Sequence, residues 1–220
     1  MTVRAAIRIL MLAGAVTALL ILGWGIRDAG SFFASGPRAA FLAILLIATA
    51  GAAAVAPNPM KKGTRTPPWQ RLVVASVQVV TLPLLIFLPY GDKRGIFVIH
   101  AQWVRWLGLG SALAGYAIMF VAVRTLGKNY SVYVTILEQH RLVQTGIYSV
   151  VRNPIYLGTM LLWPGACLVF RSWLVFPIFV YFLGFGVLRG AQEERVLREQ
   201  FNTEFDAYRQ RTWRLVPYVY

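Results

Sequence analysis

Cysteine, histidine and acidic side chains are scarce in this chain of 220 residues: one cysteine (Cys167), two histidines (His100 and His140) and eight Asp and Glu. A single cysteine excludes a disulfide framework. Two histidines and one cysteine cannot build an ordinary zinc site, which takes three or four protein ligands, mostly of those types. No metal is therefore expected. Charge is thin altogether: Asp, Glu, Lys and Arg make up 14 % of the chain, against 58 % hydrophobic residues. That is about half the usual charged share. A soluble domain of this size keeps much of its surface in water and could not hide so much apolar area. Disorder needs the opposite composition. Neither repeats nor low-complexity tracts are present. The class left is an all-α integral membrane protein with one membrane domain.

Uncharged sequence is abundant. Residues 9–26, 39–60, 72–91, 106–123, 153–170 and 172–188 carry no Asp, Glu, Lys or Arg. A charge at the bilayer centre is costly, so such gaps mark membrane segments. Each can span or nearly span a hydrocarbon core of about 30 Å at a rise of 1.5 Å per residue. Five to six transmembrane helices are expected. The last two share only the turn around Arg171-Ser172-Trp173 and read as a helical hairpin. The first stretch is long for a signal-peptide core, has no small-x-small cleavage site after it, and is followed by five more.

Orientation follows from Lys and Arg. With a cytoplasmic N-terminus and six crossings, 16 basic residues fall inside and 6 outside, the latter being Arg27, Arg38, Lys93, Arg94, Arg105 and Arg171. The positive-inside rule favours that arrangement, with both termini cytoplasmic. The net charge of +14 is then mostly a topological signal plus attraction to anionic lipid. Nucleic acid is not an expected partner, because the basic residues are spread between spans rather than gathered on one soluble face.

Polar chemistry collects in the segments 124–155 and 189–220, which hold six of the eight acidic residues. Arg189 and Glu193 are four apart, on one helix face just past the last apolar stretch. By spacing alone they are a helix-stabilising pair. Gly186 and Gly190 make a small-xxx-small face suited to close helix packing. Leu197, Phe201, Phe205 and Tyr208 form an amphipathic stripe, followed by the interface aromatics Trp213, Tyr218 and Tyr220. The plain reading of that stripe is an anchoring helix on the membrane or packed against the domain. From His140 to Gly158 there is no regular periodicity; Gly146 suits a turn, and Pro154 suits the first turn of a helix. Gly23-Trp24-Gly25 lies inside an apolar stretch and is no nucleotide-binding turn.

Taken together these pieces resemble the isoprenylcysteine carboxyl methyltransferase family and its bacterial relatives, including phospholipid methyltransferases. That family runs His-x-Leu-Val-x-x-Gly-x-Tyr, here His140, Leu142, Val143, Gly146 and Tyr148. It continues Arg-His-Pro-x-Tyr-x-Gly, here Arg152 to Gly158, then Arg-x-x-x-Glu-Glu, here Arg189 to Glu194. It closes on Phe-x-x-Glu-Tyr-x-x-Tyr, here Phe201 to Tyr208. Two positions depart: Asn153 stands for the usual histidine and Phe205 for a tyrosine. Asparagine keeps a donor and an acceptor but cannot titrate. The first four apolar stretches carry no part of the pattern. The expected division is a transmembrane scaffold over 1–123 and a methyltransferase region over 124–220.

The resemblance implies S-adenosylmethionine as methyl donor, in a cytoplasmic pocket built by the C-terminal half, and a bacterial inner membrane as location. It implies His140, Leu142, Val143, Gly146, Tyr148, Asn153, Pro154, Tyr156, Glu193 and Glu194 as cofactor-binding residues. Arg189 and Glu193 are then the catalytic pair, with Arg189 as the fork that orients an ionised acceptor carboxylate. Methyl transfer from a sulfonium rests on alignment and desolvation, and a carboxylate acceptor needs no general base. The acceptor class is lipid-like or lipid-tethered: a prenylcysteine carboxylate, a phospholipid amine or a small thiol. Other readings are a related membrane reductase using a nicotinamide cofactor, or a non-enzymatic membrane subunit. The latter predicts charges deep within the spans, and the stretches above have none. The topology is checked by accessibility labelling of cysteines introduced at positions 2 and 218. Both should be shielded from an impermeant reagent added outside; labelling of either from that face overturns the arrangement.

Overall fold

The computed structural model describes residues 3–55, 70–127, 130–132 and 142–219. Every charge-free stretch becomes a helix. In chain order these are α1 (Val3–Trp24), the short α2 (Ala29–Phe33), α3 (Gly36–Val55), α4 (Gln70–Arg94), α5 (Val104–Leu126), α6 (Pro154–Val169) and α7 (Val175–Gln210). Single 3-10 turns sit at Ile26–Asp28 and Gly146–Ser149. Helices dominate because lipid offers no hydrogen bonds, so each segment must satisfy its own backbone. By length and composition α4, α5 and α7 can each cross a membrane, and α1 with the turn and α2 behind it makes a fourth candidate, bent by 96°. Helix α6 has 16 residues, about 24 Å at 1.5 Å per residue, short of a full hydrocarbon core. It returns into α7 through a tight turn in which Arg171 takes a positive φ of 53°, giving the expected hairpin.

Helices α5 and α6 pack closest. Gly108 and Gly115 on α5 are seven apart, and so are Gly158 and Gly165 on α6. The two helices run antiparallel, so Gly108 meets Gly165 and Gly115 meets Gly158. A Cβ at Gly115 would lie 2.5 Å from the Gly158 carbonyl oxygen, and one at Gly108 2.6 Å from that of Gly165. Small residues let backbones approach where lipid supplies no hydrophobic drive between helices. Gly23 of α1 abuts the Ile86 backbone of α4 in the same way.

One end of the bundle is tied by charge. Asp92, near the end of α4, has a fully buried side chain. It accepts hydrogen bonds from Arg38 at the start of α3 (3.2 Å), Arg105 at the start of α5 (2.8 and 2.9 Å) and Arg171 in the hairpin turn (2.8 and 3.0 Å). The surplus positive charge is spread onto carbonyls: Arg38 donates to Phe32 and Ser31, and Arg105 to Val169. Arg38 also stacks on Trp24, 4.2 Å from its ring. Three of the basic residues that topology counting treats as loop charges are therefore internal. Trp103, Trp106, Trp173 and Phe97 are exposed around this end, as expected of an interfacial aromatic belt.

Removing Asp92 strands three guanidiniums. Asp92→Ala should cost about 3–5 kcal/mol and lower the thermal midpoint in detergent by roughly 10 °C. Asp28→Ala, which breaks only the exposed pair with Lys93, should cost about 0.5 kcal/mol. Equal melting of the two variants would show that the buried network does not hold the bundle.

Candidate functional site

At the opposite end, the chain enters α6 through Val150-Val151-Arg152-Asn153-Pro154. Pro154 caps nothing and loses nothing at the first helical position, and the residue before it, at φ −123° and ψ 56°, is held out of the helical region. That segment pairs with the tail: the Arg152 and Asn153 amides donate to the Trp213 and Arg214 carbonyls, and the Trp213 amide to Val150. The tail reaches this position because α7 breaks at Asn202, whose φ of 44° and ψ of −115° are not helical. Past the break, Phe205 and Tyr208 turn inward and are buried. The Tyr208 hydroxyl donates to the Tyr148 carbonyl at 2.7 Å. The amphipathic stripe thus packs on the domain.

These elements enclose a cavity of about 290 Å³, near the lower bound for small-molecule sites. Of the site residues that the resemblance implies, Leu142, Val143, Tyr148, Asn153, Pro154, Tyr156, Arg189, Glu193 and Glu194 line it, and Leu197, Phe205 and Tyr208 of the amphipathic stripe join them. Gly146 makes its turn at φ 60° beside Thr125 and stands outside the wall. His140 lies outside the described residues. Burial holds the Tyr148 and Tyr130 phenols above their ordinary pKa, and the Glu193 carboxylate adds to this, so both stay protonated.

The two adjacent glutamates do different things. Glu194 is clasped by Arg152 (3.0 Å) and Arg214 (2.6 Å), with the Asn153 amide at 3.3 Å. Glu193 accepts from the Tyr156 hydroxyl at 2.9 Å. Arg189 is 3 % exposed. Its Nη2 donates to the Val132 carbonyl at 2.7 Å, while Nη1 has no partner among the described residues. Arg189 and Glu193 do not form an ion pair here: the two share a helix face, but Tyr156 takes the carboxylate. Gly186 and Gly190 allow this, since a Cβ on them would lie 3.2 Å from Tyr156 and 3.3 Å from the Asn153 amide group. A buried, half-satisfied guanidinium beside a cavity can bind an anion; a part-buried carboxylate with one donor can receive a cation.

Several wall residues escaped the sequence reading. Arg152 opens the second motif, yet the resemblance implies no role for it, and Tyr130 carries no local signal. Val74, Val77 and Gln78 bring α4 into the wall. Gln78 had a signal, as a polar side chain deep in an otherwise apolar stretch.

Residues 103–204 match the family model described as phospholipid methyltransferase. Among curated proteins, the chain is 29 % identical over 123 residues to protein-S-isoprenylcysteine O-methyltransferase B of Arabidopsis thaliana, covering 53 % of this chain and 61 % of that one. It is 28 % identical over 120 residues to a probable protein-S-isoprenylcysteine O-methyltransferase of Oryza sativa subsp. indica, covering 53 % and 63 %. The chain therefore spans a little over three fifths of these relatives' length. The structure of a eukaryotic intramembrane Ras methyltransferase, isoprenylcysteine carboxyl methyltransferase, superposes with a TM-score of 0.60 over 94 % of this chain and 74 % of that one, at 19 % identity. The structural likeness shows the fold, that of an intramembrane protein; the family-model match and the curated relatives are methyltransferases of the kind the motifs resemble.

The clasp on Glu194 yields a stability test. Glu194→Ala leaves Arg152 and Arg214 without their carboxylate and should cost on the order of 3 kcal/mol. Tyr208→Phe removes one neutral hydrogen bond and should cost about 1 kcal/mol. Limited proteolysis should cut Glu194→Ala within 203–219 well before the parent; equal digestion would mean that the tail is held by other contacts.

Proposed function

We propose that this chain, an isoprenylcysteine carboxyl methyltransferase-like membrane protein, transfers a methyl group from S-adenosylmethionine to a carboxylate on a lipid-like or lipid-tethered acceptor. The observation that carries the reading is the buried Arg189 guanidinium, one nitrogen of which is unpartnered among the described residues at the cavity. In this reading 1–123 is mainly scaffold, 124–220 is the catalytic region, and the membrane is a bacterial inner membrane with the cavity on the cytoplasmic side.

The residues present fit the donor. Leu142, Val143 and Tyr148 offer apolar and aromatic surface to a nucleoside, and His140 precedes them in the chain. Glu193, oriented by Tyr156, offers negative charge to an ammonium. When bound, S-adenosylmethionine supplies an electrophilic methyl group on a sulfonium. Arg189 receives the acceptor carboxylate through Nη1, which has no partner among the described residues, and Val132 fixes the other nitrogen so the fork keeps one orientation. Val74, Val77 and Phe185 exclude water from the apolar side, which strengthens each charge contact. Asn153 positions Glu194 and the tail and moves no proton.

A phospholipid amine is the second reading, supported by the family-model match. A guanidinium beside a cationic amine would be unhelpful, and Arg189 would then serve the cofactor. Arg189→Lys separates the two, since lysine keeps the charge and loses the fork. Methyl transfer to a prenylcysteine carboxylate should fall at least tenfold, about 1.4 kcal/mol of transition-state stabilisation. Affinity for S-adenosylhomocysteine, measured by calorimetry, should change much less. A parallel loss of both abandons the carboxylate acceptor; no binding by the parent chain abandons the methyltransferase.

A further inference from the structure

Arginines and aromatics meet on the outer side of the tail, across Glu194 and Phe205 from the cavity. A cleft between α7 and the tail is lined by Arg195, Arg198, Arg209 and Arg214 against one carboxylate, Glu194. Glu194 is already taken by Arg152 and Arg214, and Arg198 by Asp206 at 3.1 Å. Arg195 and Arg209 are exposed and have no side-chain hydrogen bond or ion pair among the described residues. Beyond them, Trp213, Val216, Tyr218 and Val219 are exposed at 39, 36, 86 and 77 %. The Trp213 and Tyr218 rings lie 5.5 Å apart.

The level of this patch is set by its pairing. Trp213 and Arg214 are hydrogen-bonded to residues 150–153, where the charge-free stretch of α6 begins. The patch therefore sits where hydrocarbon gives way to headgroups. Aromatic rings prefer that layer, and arginines there meet lipid phosphate.

We infer that the tail, 209–219, docks on the anionic headgroup surface of the bilayer in which the chain sits. Trp213 and Tyr218 enter the interface, and Arg195 and Arg209 take lipid phosphates. The same segment forms the cavity's brace through Arg214–Glu194 and the pairing with 150–153. Lipid charge accordingly steadies the mouth of the cavity without touching it.

The test uses the full chain in nanodiscs of phosphatidylcholine, with and without phosphatidylglycerol. Cys167 is fully buried, so Tyr218→Cys gives one accessible thiol for a fluorophore. Interface-quencher lipids should quench it at least twofold more with phosphatidylglycerol, and high salt should remove the difference. Hydrogen exchange at the Arg152, Asn153 and Trp213 amides should slow at least threefold in the same discs. R195Q/R209Q, which changes side chains outside the cavity wall and keeps the Arg209 carbonyl that Arg152 bonds, should abolish both responses. Equal quenching and exchange in the two lipids overturns the proposal, whether or not S-adenosylhomocysteine binds. Retention of the lipid response by the double variant also overturns it. Protection by a soluble acidic polypeptide but not by lipid would assign the patch to a protein partner and overturn it as well.

Discussion

A single carboxylate, Asp92, holds together elements that are far apart in the chain. The starts of α3 and α5, the end of α4 and the α6–α7 turn all converge on it. The arrangement works because it is collective. One buried acid cannot neutralise three arginines, so backbone carbonyls of Ser31, Phe32 and Val169 and the Gln102 side chain take up further donors. Removing any one partner leaves a charge or a donor buried without compensation. With this end fixed, the vertical register of each helix is fixed too. The glycines of α5 and α6 then meet in pairs.

Glu194 is the counterpart at the cavity end, joining the entry to α6, the body of α7 and the tail. Its neighbour Glu193 has the opposite duty. Consecutive residues on a helix point about 100° apart, so one meets the arginines of the brace and the other meets Tyr156, while both border the cavity. That single step gives two neighbouring carboxylates different partners, although both stand in one short motif. The same economy appears on α7 at Gly186 and Gly190, which make room for Tyr156 and Asn153. Those two side chains orient Glu193 and Glu194 respectively.

The break at Asn202 gives the tail its role. An uninterrupted α7 would carry Phe205 and Tyr208 away from the cavity. The non-helical residue turns them over it, and the pairing of 150–153 with 213–214 closes the turn. Helix α4 supplies the facing wall through Val74, Val77 and Gln78, so the N-terminal helices contribute to the site as well as to the scaffold.

The helices and the motif were legible in the sequence. Charge-free runs report the cost of burying charge in lipid, and that cost is local to each segment, so every run became a helix. Motif spacing brought out nine residues that do line one cavity. What stayed hidden was pairing. Asp92 lies 54, 13 and 79 residues from its three arginines, and nothing in a helical period says which distant charges will meet. Counting Arg38, Arg105 and Arg171 as loop charges followed from the same limit. Likewise Arg189 and Glu193 satisfy the spacing of an ion pair, yet Tyr156 takes the carboxylate because packing at Gly186 brings it within reach. Local chemistry is written along the chain; the choice among chemically equivalent partners is made only when the helices are set side by side, where distance and desolvation decide which contact forms.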